Sequence, residues 1–358
     1  MKGNRWIYGF GDGEADGDGT MKPLLGGKGA GLAEMSLLGM PVPPGFTITT
    51  EVCNAYFAED GAWPEGFREE LAASLAVLEG RTGRSFGDPA RPLLVSVRSG
   101  SPVSMPGMMD TVLNLGLNDA TVEGLAAESE DPHFAWDAYR RFVQMYGDVV
   151  LGIHYTRFAR AQEEFVGDRL PTDLSVEELR ALTARLKAVV TQAGQPFPED
   201  PAEQLEHAIN AVFRSFNTHR ARYYRKTHGI PDDTGTAVSV QAMVFGNMAG
   251  ASGTGVAFTR DPKTGENGLF GEWLPNAQGE DVVAGLRTPR PINTLDAKAG
   301  ESLEEAMPDL PTQKRIVELD ALARQEGQLL RQLAARREEL VSAILGEAAK
   351  AADRKEIA

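Results

Sequence analysis

Arginine, serine and glycine crowd one stretch of the chain, residues 93–114, which reads LLVSVRSGSPVSMPGMMDTVLN. Arg98 brings a planar fork of donors that matches phosphate. Ser99, Ser101, Ser104 and Thr111 add hydroxyls, while Gly100 and Gly107 let backbone N–H groups turn toward one point, as loops that cradle anions do. The flanks are extended in pattern: Leu93, Leu94, Val95 and Val97 before the loop, Thr111–Leu115 after it. Residues 105–110 set three methionines at the tip, where polar residues are usual. Apolar side chains there fit a lid that packs onto something when closed. An ordinary turn-rich connection is the plain alternative, and the methionines weigh against it.

A second candidate cation, Lys28, stands in LLGGKGAGLAEMSLLGMPVPPGFTITT, residues 24–50. Gly26, Gly27 and Gly29 precede a helical pattern carried by Leu32, Met35, Leu37 and Leu38. Gly39 ends that pattern, and Pro41, Pro43 and Pro44 force an extended exit into a strand at 46–49. A helix start offers free N–H groups and the positive end of the dipole, so Lys28 and the backbone could share one phosphate there. The spacing is not G-x-x-x-x-G-K-[ST], which excludes a P-loop. The alternative is a glycine-rich helix start with a solvated lysine.

The elements that must position these residues follow from the rest of the pattern. Residues 6–10 read as a strand, and the acidic loop 12–20 lacks the closing acid of a calcium loop, since Pro23 stands there. From 119 to 227 the pattern is helical, with Phe134, Trp136, Tyr139, Phe142, Val143 and Tyr146 as a core stripe. A strand-rich portion opens near Thr236 with TAVSVQAMVFG, and Asp261-Pro-Lys-Thr-Gly265 carries turn chemistry. Residues 312–358 are charged, free of proline and seamed with leucine, as in an amphipathic helix or helix pair.

At 358 residues and a net charge of −15, the chain has the size for two or three subdomains and the wrong sign for a general nucleic-acid binder. No apolar run is long enough to span a membrane, and no signal peptide is evident at the N-terminus. A single cysteine, Cys53, fits a reducing cytoplasm and a buried helical position rather than a nucleophile. The five histidines are scattered without zinc-ligand spacing.

Four runs, in this order, resemble the N-terminal nucleotide-binding part of the pyruvate, phosphate dikinase family. They are MKPLLGGKGAGLAEMSLLGMPVPPGFTITT, SVRSGSPVSMPGMMDTVLNLGLN, FAWDAYRRFVQMYGDVVLGI and the long run from TAVSVQAMVFG to GLRTPRPI. Related dikinases share the layout, but the SMPGMMDT loop is similar to the pyruvate, phosphate dikinase version. The resemblance implies an α+β, ATP-grasp-like fold: two mixed α/β subdomains clasp a nucleotide cleft, beside an inserted helical subdomain and a C-terminal amphipathic helix. The partition expected is 1–118, 119–227, 228–311 and 312–358.

The resemblance also implies ATP and Mg²⁺ as cofactors and transfer of the β-phosphoryl group to a histidine on a separate domain, with inorganic phosphate as second acceptor. Carried across, Lys28 and Arg98 match phosphate-binding cations, and the loop holding Ser104, Gly107, Asp110 and Thr111 matches the lid. Arg140 or Arg141 matches a basic residue near the transferred groups. Gln241 and Met243 match the adenine-side strand, Glu280, Asp281 and Val282 the nucleotide-side turn, and Thr254 a turn near the phosphates. After residues 307–310 the family's closing Asp-x-Glu pair and Leu-Gln-Thr-Arg segment are not found, nor is its Thr-Ser-His-Ala histidine run, so metal ligands stay unassigned. The phosphohistidine and pyruvate/phosphoenolpyruvate barrel domains are expected in trans or lost. A non-catalytic scaffold, with the tail serving assembly, stays open as the alternative, as does a homo-oligomer.

Overall fold

In the computed structural model, residues 5–169, 171–248, 252–283 and 288–291 are described. The chain divides into two compact units, Met1–Gly250 and Ala251–Ala358. The tail expected as a helix at 312–358 lies outside the described residues.

The first unit is organised by alternation. Its strands are β1 (Ile7–Gly11), β2 (Glu14–Ala15), β3 (Gly45–Ile48), β4 (Val95–Gly100), β5 (Thr111–Leu115) and β6 (Ala237–Ala242). They form one antiparallel sheet in the order β2-β1-β3-β6-β4-β5. The strand that opens the strand-rich portion of the sequence, β6, is thus central to this sheet, between β3 and β4. Directly opposed residues share a face, so Phe46, Val240, Val97 and Val112 form one apolar row. The next row, on the opposite face, is Thr47, Ser239, Arg98 and Thr111. One sheet therefore has an apolar face for the core and a polar face opposite it.

Helices cover the apolar face through a continuous core. They are α2 (Thr50–Ala58), α3 (Phe67–Thr82), α4 (Thr121–Ser129), α5 (Pro132–Met145), α6 (Tyr155–Val166), α7 (Val176–Gln192) and α8 (Pro201–Phe216), with α9 (His219–His228) following. Side chains cap several of these starts: Asp131 accepts the Phe134 N–H, and Ser175 and Glu178 form a capping box on α7. The aromatic stripe of α5 is core, with Phe134, Tyr139, Phe142 and Tyr146 buried. Cys53 is buried on α2, and burial pushes its thiol up to about 12, which leaves it unreactive. The remaining helix, α1 (Lys22–Leu37), packs Gly29 against Thr47 of the polar row, where an added Cβ would meet Thr47 Cγ2 at 2.7 Å.

The second unit holds β7 (Gly253–Arg260), β8 (Asn267–Pro275), β9 (Arg290–Pro291) and the short α10 (Gly279–Val283). The strands pair antiparallel in that order. Between β7 and β8 lies the turn expected from the sequence: Asp261 Oδ1 accepts the Lys263 N–H at 2.7 Å, and Gly265 has φ +76. Among the described residues no helix is long and apolar enough to cross a membrane.

Candidate functional site

A glycine break joins the two cation-bearing segments. The helix begins at Lys22, with Pro23 in its first turn, but Gly26 leaves helical geometry at φ 68, ψ 170. A Cβ on Gly26 would stand 1.8 Å from the Gly100 carbonyl oxygen. Only glycine permits both the left-handed backbone and that approach. Beyond the break, Gly27 donates its N–H to the Ser101 carbonyl at 3.0 Å. Lys28 thereby starts the second helical segment beside Gly100, where an added Cβ would lie 3.5 Å from Lys28 Cβ.

The arrangement brings two like charges together with no counter-ion among the described residues. Lys28 and Arg98 are both exposed, and neither side chain has a hydrogen-bond or ion-pair partner among the described residues. Desolvation by surrounding protein holds the Lys28 ammonium below its ordinary value, and the Arg98 guanidinium lowers it further. Desolvation likewise lowers Arg98. Ser101, buried beside them in sequence and bonded through its carbonyl, has a hydroxyl with no partner among the described residues. An unpaired buried hydroxyl is costly alone, and a polyanion would compensate both it and the repulsion between the two cations.

The loop between β4 and β5 is docked rather than free. Met105 is buried with Phe216 and Ile230, and Met108 and Met109 pack on the same cluster. The methionine tip therefore packs onto something, as its composition suggests, and that something is the α8–α9 corner. Asp110 pairs with Arg220. Burial pushes the Asp110 carboxyl up, Arg220 opposes that shift, and Asp148 adds to it. Ser104 and Gly107 stay exposed, Gly107 with φ +70. Thr111 opens β5 directly opposite Arg98.

The other expected site residues fall into three places. Gln241 lies on the polar face opposite Ser96, its Nε2 donating to the Pro43 carbonyl at 2.9 Å. Met243, just beyond β6, donates its N–H to the Leu94 carbonyl at 2.9 Å and packs on the core. Arg140 and Arg141 sit on α5 and share Asp137: Arg140 binds Oδ1 at 2.7 and 2.9 Å, Arg141 binds Oδ2 at 2.8 Å. Burial alone would raise the Asp137 carboxyl, but the two arginines hold it below the usual carboxylate range. Arg140 also donates to Gln162 of α6. In the second unit Thr254 of β7 lies against the start of α10, where a Cβ on Gly279 would be 4.0 Å from its Oγ1. Glu280, Asp281 and Val282 form that helix, and Asp281 Oδ2 accepts the Gln278 N–H at 2.9 Å.

Lys28, Arg98, Thr111 and Gln241 thus gather around the polar side of the first sheet, with the Ser104–Gly107–Asp110 loop attached to it. Arg220 and Ser215, which fasten that loop, carry no signal of the role in the sequence. Among the described residues no three of His, Cys, Asp and Glu cluster in a way that could hold a metal.

Residues 22–65 and 60–320 match the family model described as pyruvate phosphate dikinase, AMP/ATP-binding domain. Pyruvate, phosphate dikinase of Rhizobium meliloti (strain 1021) is 53% identical over 313 residues, covering 85% of this chain and 35% of the relative. The enzyme of Clostridium symbiosum is 52% identical over 297 residues, 82% of this chain and 34% of the relative. The chloroplastic enzyme 1 of Arabidopsis thaliana is 52% identical over 303 residues, 84% and 31%. The chain spans about a third of the length of these relatives.

Proposed function

The chain belongs to the pyruvate phosphate dikinase AMP/ATP-binding domain family, and from that premise we propose that it binds ATP by its phosphates and donates a phosphoryl group to a histidine on a separate domain. One observation carries the reading: Lys28 and Arg98, two neighbouring cations without partners among the described residues, meet where Gly26 touches Gly100. Phosphoryl transfer asks for positioning and neutralised charge more than for covalent help from the protein. Lys28 supplies a point charge, Arg98 a planar fork, and the Gly27–Ser101 junction a close backbone approach.

In this reading Gln241 and Met243 flank the adenine and the Ser104–Gly107 loop covers the polyphosphate, while Thr254, Glu280, Asp281 and Val282 keep the nucleotide roles that the resemblance implies. Arg140 and Arg141 act through their ion triad with Asp137, near the groups transferred. The architecture proposed is ATP-grasp, with β6 (Ala237–Ala242) counted in the first unit's sheet rather than in a subdomain that begins at 228. Mg²⁺ is proposed as a counter-ion to the nucleotide phosphates. The described residues supply no cluster to hold it. The phosphohistidine domain and the barrel that makes phosphoenolpyruvate are the proposed partners, and the full reaction consumes ATP, phosphate and pyruvate.

Calorimetric titration of the chain with ATP, with and without Mg²⁺, tests the reading. Saturable binding that Lys28→Met or Arg98→Met weakens is expected. Binding indifferent to both substitutions would remove the assignment.

A further inference from the structure

The loop between β4 and β5 is fastened at its far leg by a surface arginine more than a hundred residues downstream. Arg220, at the start of α9, donates from Nε to the Met108 carbonyl at 3.1 Å and pairs with the Asp110 carboxylate. The Ser215 hydroxyl accepts the Asp110 N–H at 3.2 Å and passes its own hydrogen to the Val212 carbonyl at 2.7 Å. The platform receiving the loop is tied down in turn. Arg225, 1% exposed, lies 3.9 Å over the Phe216 ring and bonds the Phe216 carbonyl, Asn217 and Asp232. A guanidinium so fully enclosed keeps one posture, because any other leaves its charge unpaired.

Two features separate this fastening from ordinary fold maintenance. The Arg220 side chain is 52% exposed, and an ion pair at such a site contributes little to global stability. Its two acceptors, however, both belong to the loop, and Asp110 directly precedes Thr111, the residue opposite Arg98. Slack at Asp110 would therefore reach the neighbour of the phosphate-site arginine.

We propose that Arg220 is a positioning residue for polyphosphate binding: through Met108 and Asp110 it holds the loop on the α8–α9 corner, so that the exposed Ser104 and Gly107 meet the outer phosphates in one preset posture. The inference rests on the reading of Lys28 and Arg98 as the phosphate site. Its benefit is entropic, since a loop already ordered need not be ordered by the ligand.

The test compares the full chain with its Arg220→Ala and Arg220→Lys variants. Without nucleotide, hydrogen exchange in Arg220→Ala should quicken over residues 102–110 alone, with the unfolding midpoint unchanged. ATP affinity should fall about tenfold, the scale of a few side chains losing their order. AMP affinity should not change, since AMP lacks the outer phosphates, and Arg220→Lys should recover part of the loss. Unaltered exchange in the loop overturns the role, as does an equal loss for ATP and AMP. A wild-type chain that binds neither nucleotide overturns the phosphate-site reading and this role with it. A wild-type chain that binds ATP beside an indistinguishable Arg220→Ala overturns this role alone.

Discussion

Gly26 and Gly100 meet backbone to backbone, so closely that a Cβ on the first would sit 1.8 Å from the carbonyl oxygen of the second. That contact registers the α1 cation against the β4 cation. Gly26→Ala would add both a left-handed alanine and a clash with unyielding backbone, a combined cost of roughly 2–5 kcal/mol. Thermal unfolding should show the loss, and ATP affinity should fall in whatever fraction stays folded. Gly107→Ala is the control, because its φ of +70 is similar but nothing lies within 4 Å. It should cost only the conformational part, about 1–2 kcal/mol.

Removing a cation at this site should not weaken the fold. Lys28 and Arg98 are exposed and make no ion pair among the described residues, so Lys28→Met relieves a like-charge contact. The unfolding midpoint should hold or rise slightly, while ATP affinity falls roughly tenfold to a hundredfold, the scale of a hydrogen bond to a charged group. A midpoint that drops sharply would mean that Lys28 supports the fold instead.

The depressed pKa of Lys28 sets a pH dependence whose sign can be worked out. In the free chain the charged form is disfavoured, first by desolvation and then by Arg98, so the folded state releases its proton at a lower pH than the unfolded state. Folding stability therefore gains with rising pH between the two values. A bound polyanion favours the ammonium and raises the pKa again. ATP binding on the alkaline side should thus take up a fraction of a proton and weaken as pH rises. Calorimetry in buffers of different ionisation enthalpy measures that uptake, which should vanish in Lys28→Met.

The Asp137 triad should behave as a buried ion cluster. Asp137→Ala removes the carboxylate that Arg140 and Arg141 share, at a cost of about 3–5 kcal/mol for a buried pair broken on one side. Because the carboxyl sits below its ordinary value, its stabilisation is present above the unfolded carboxylate pKa and is lost as pH falls through the folded one. Acid should therefore weaken the wild type progressively, from the unfolded carboxylate pKa down to the folded one. In Asp137→Asn that contribution to acid unfolding should be missing.

Local features of the chain were legible and long-range ones were not. Alternation at Val95, Val97 and Thr111–Leu115 announced the two strands around the loop, and the methionines announced that its tip would pack. Nothing in either segment announced that Ser239 would stand between Thr47 and Arg98, since strand order is set by packing of the whole sheet. Gly26 shows the same limit: the glycines read as a helix start, yet one turn of α1 precedes them, and the positive φ answers a carbonyl in a distant strand. Asp137 was readable in principle, three and four residues before Arg140 and Arg141, the helical spacing of an ion pair. Arg220 was not, because its partners lie in a loop far upstream.

The central claim is that Lys28 and Arg98 form one phosphate site, and a double-mutant cycle on ATP affinity measures it most directly. Titrations of the wild type, Lys28→Met, Arg98→Met and the double variant should give losses that fall short of additive when summed, since both cations hold the same polyanion. Strictly additive losses, or no loss from either substitution, would contradict a shared site.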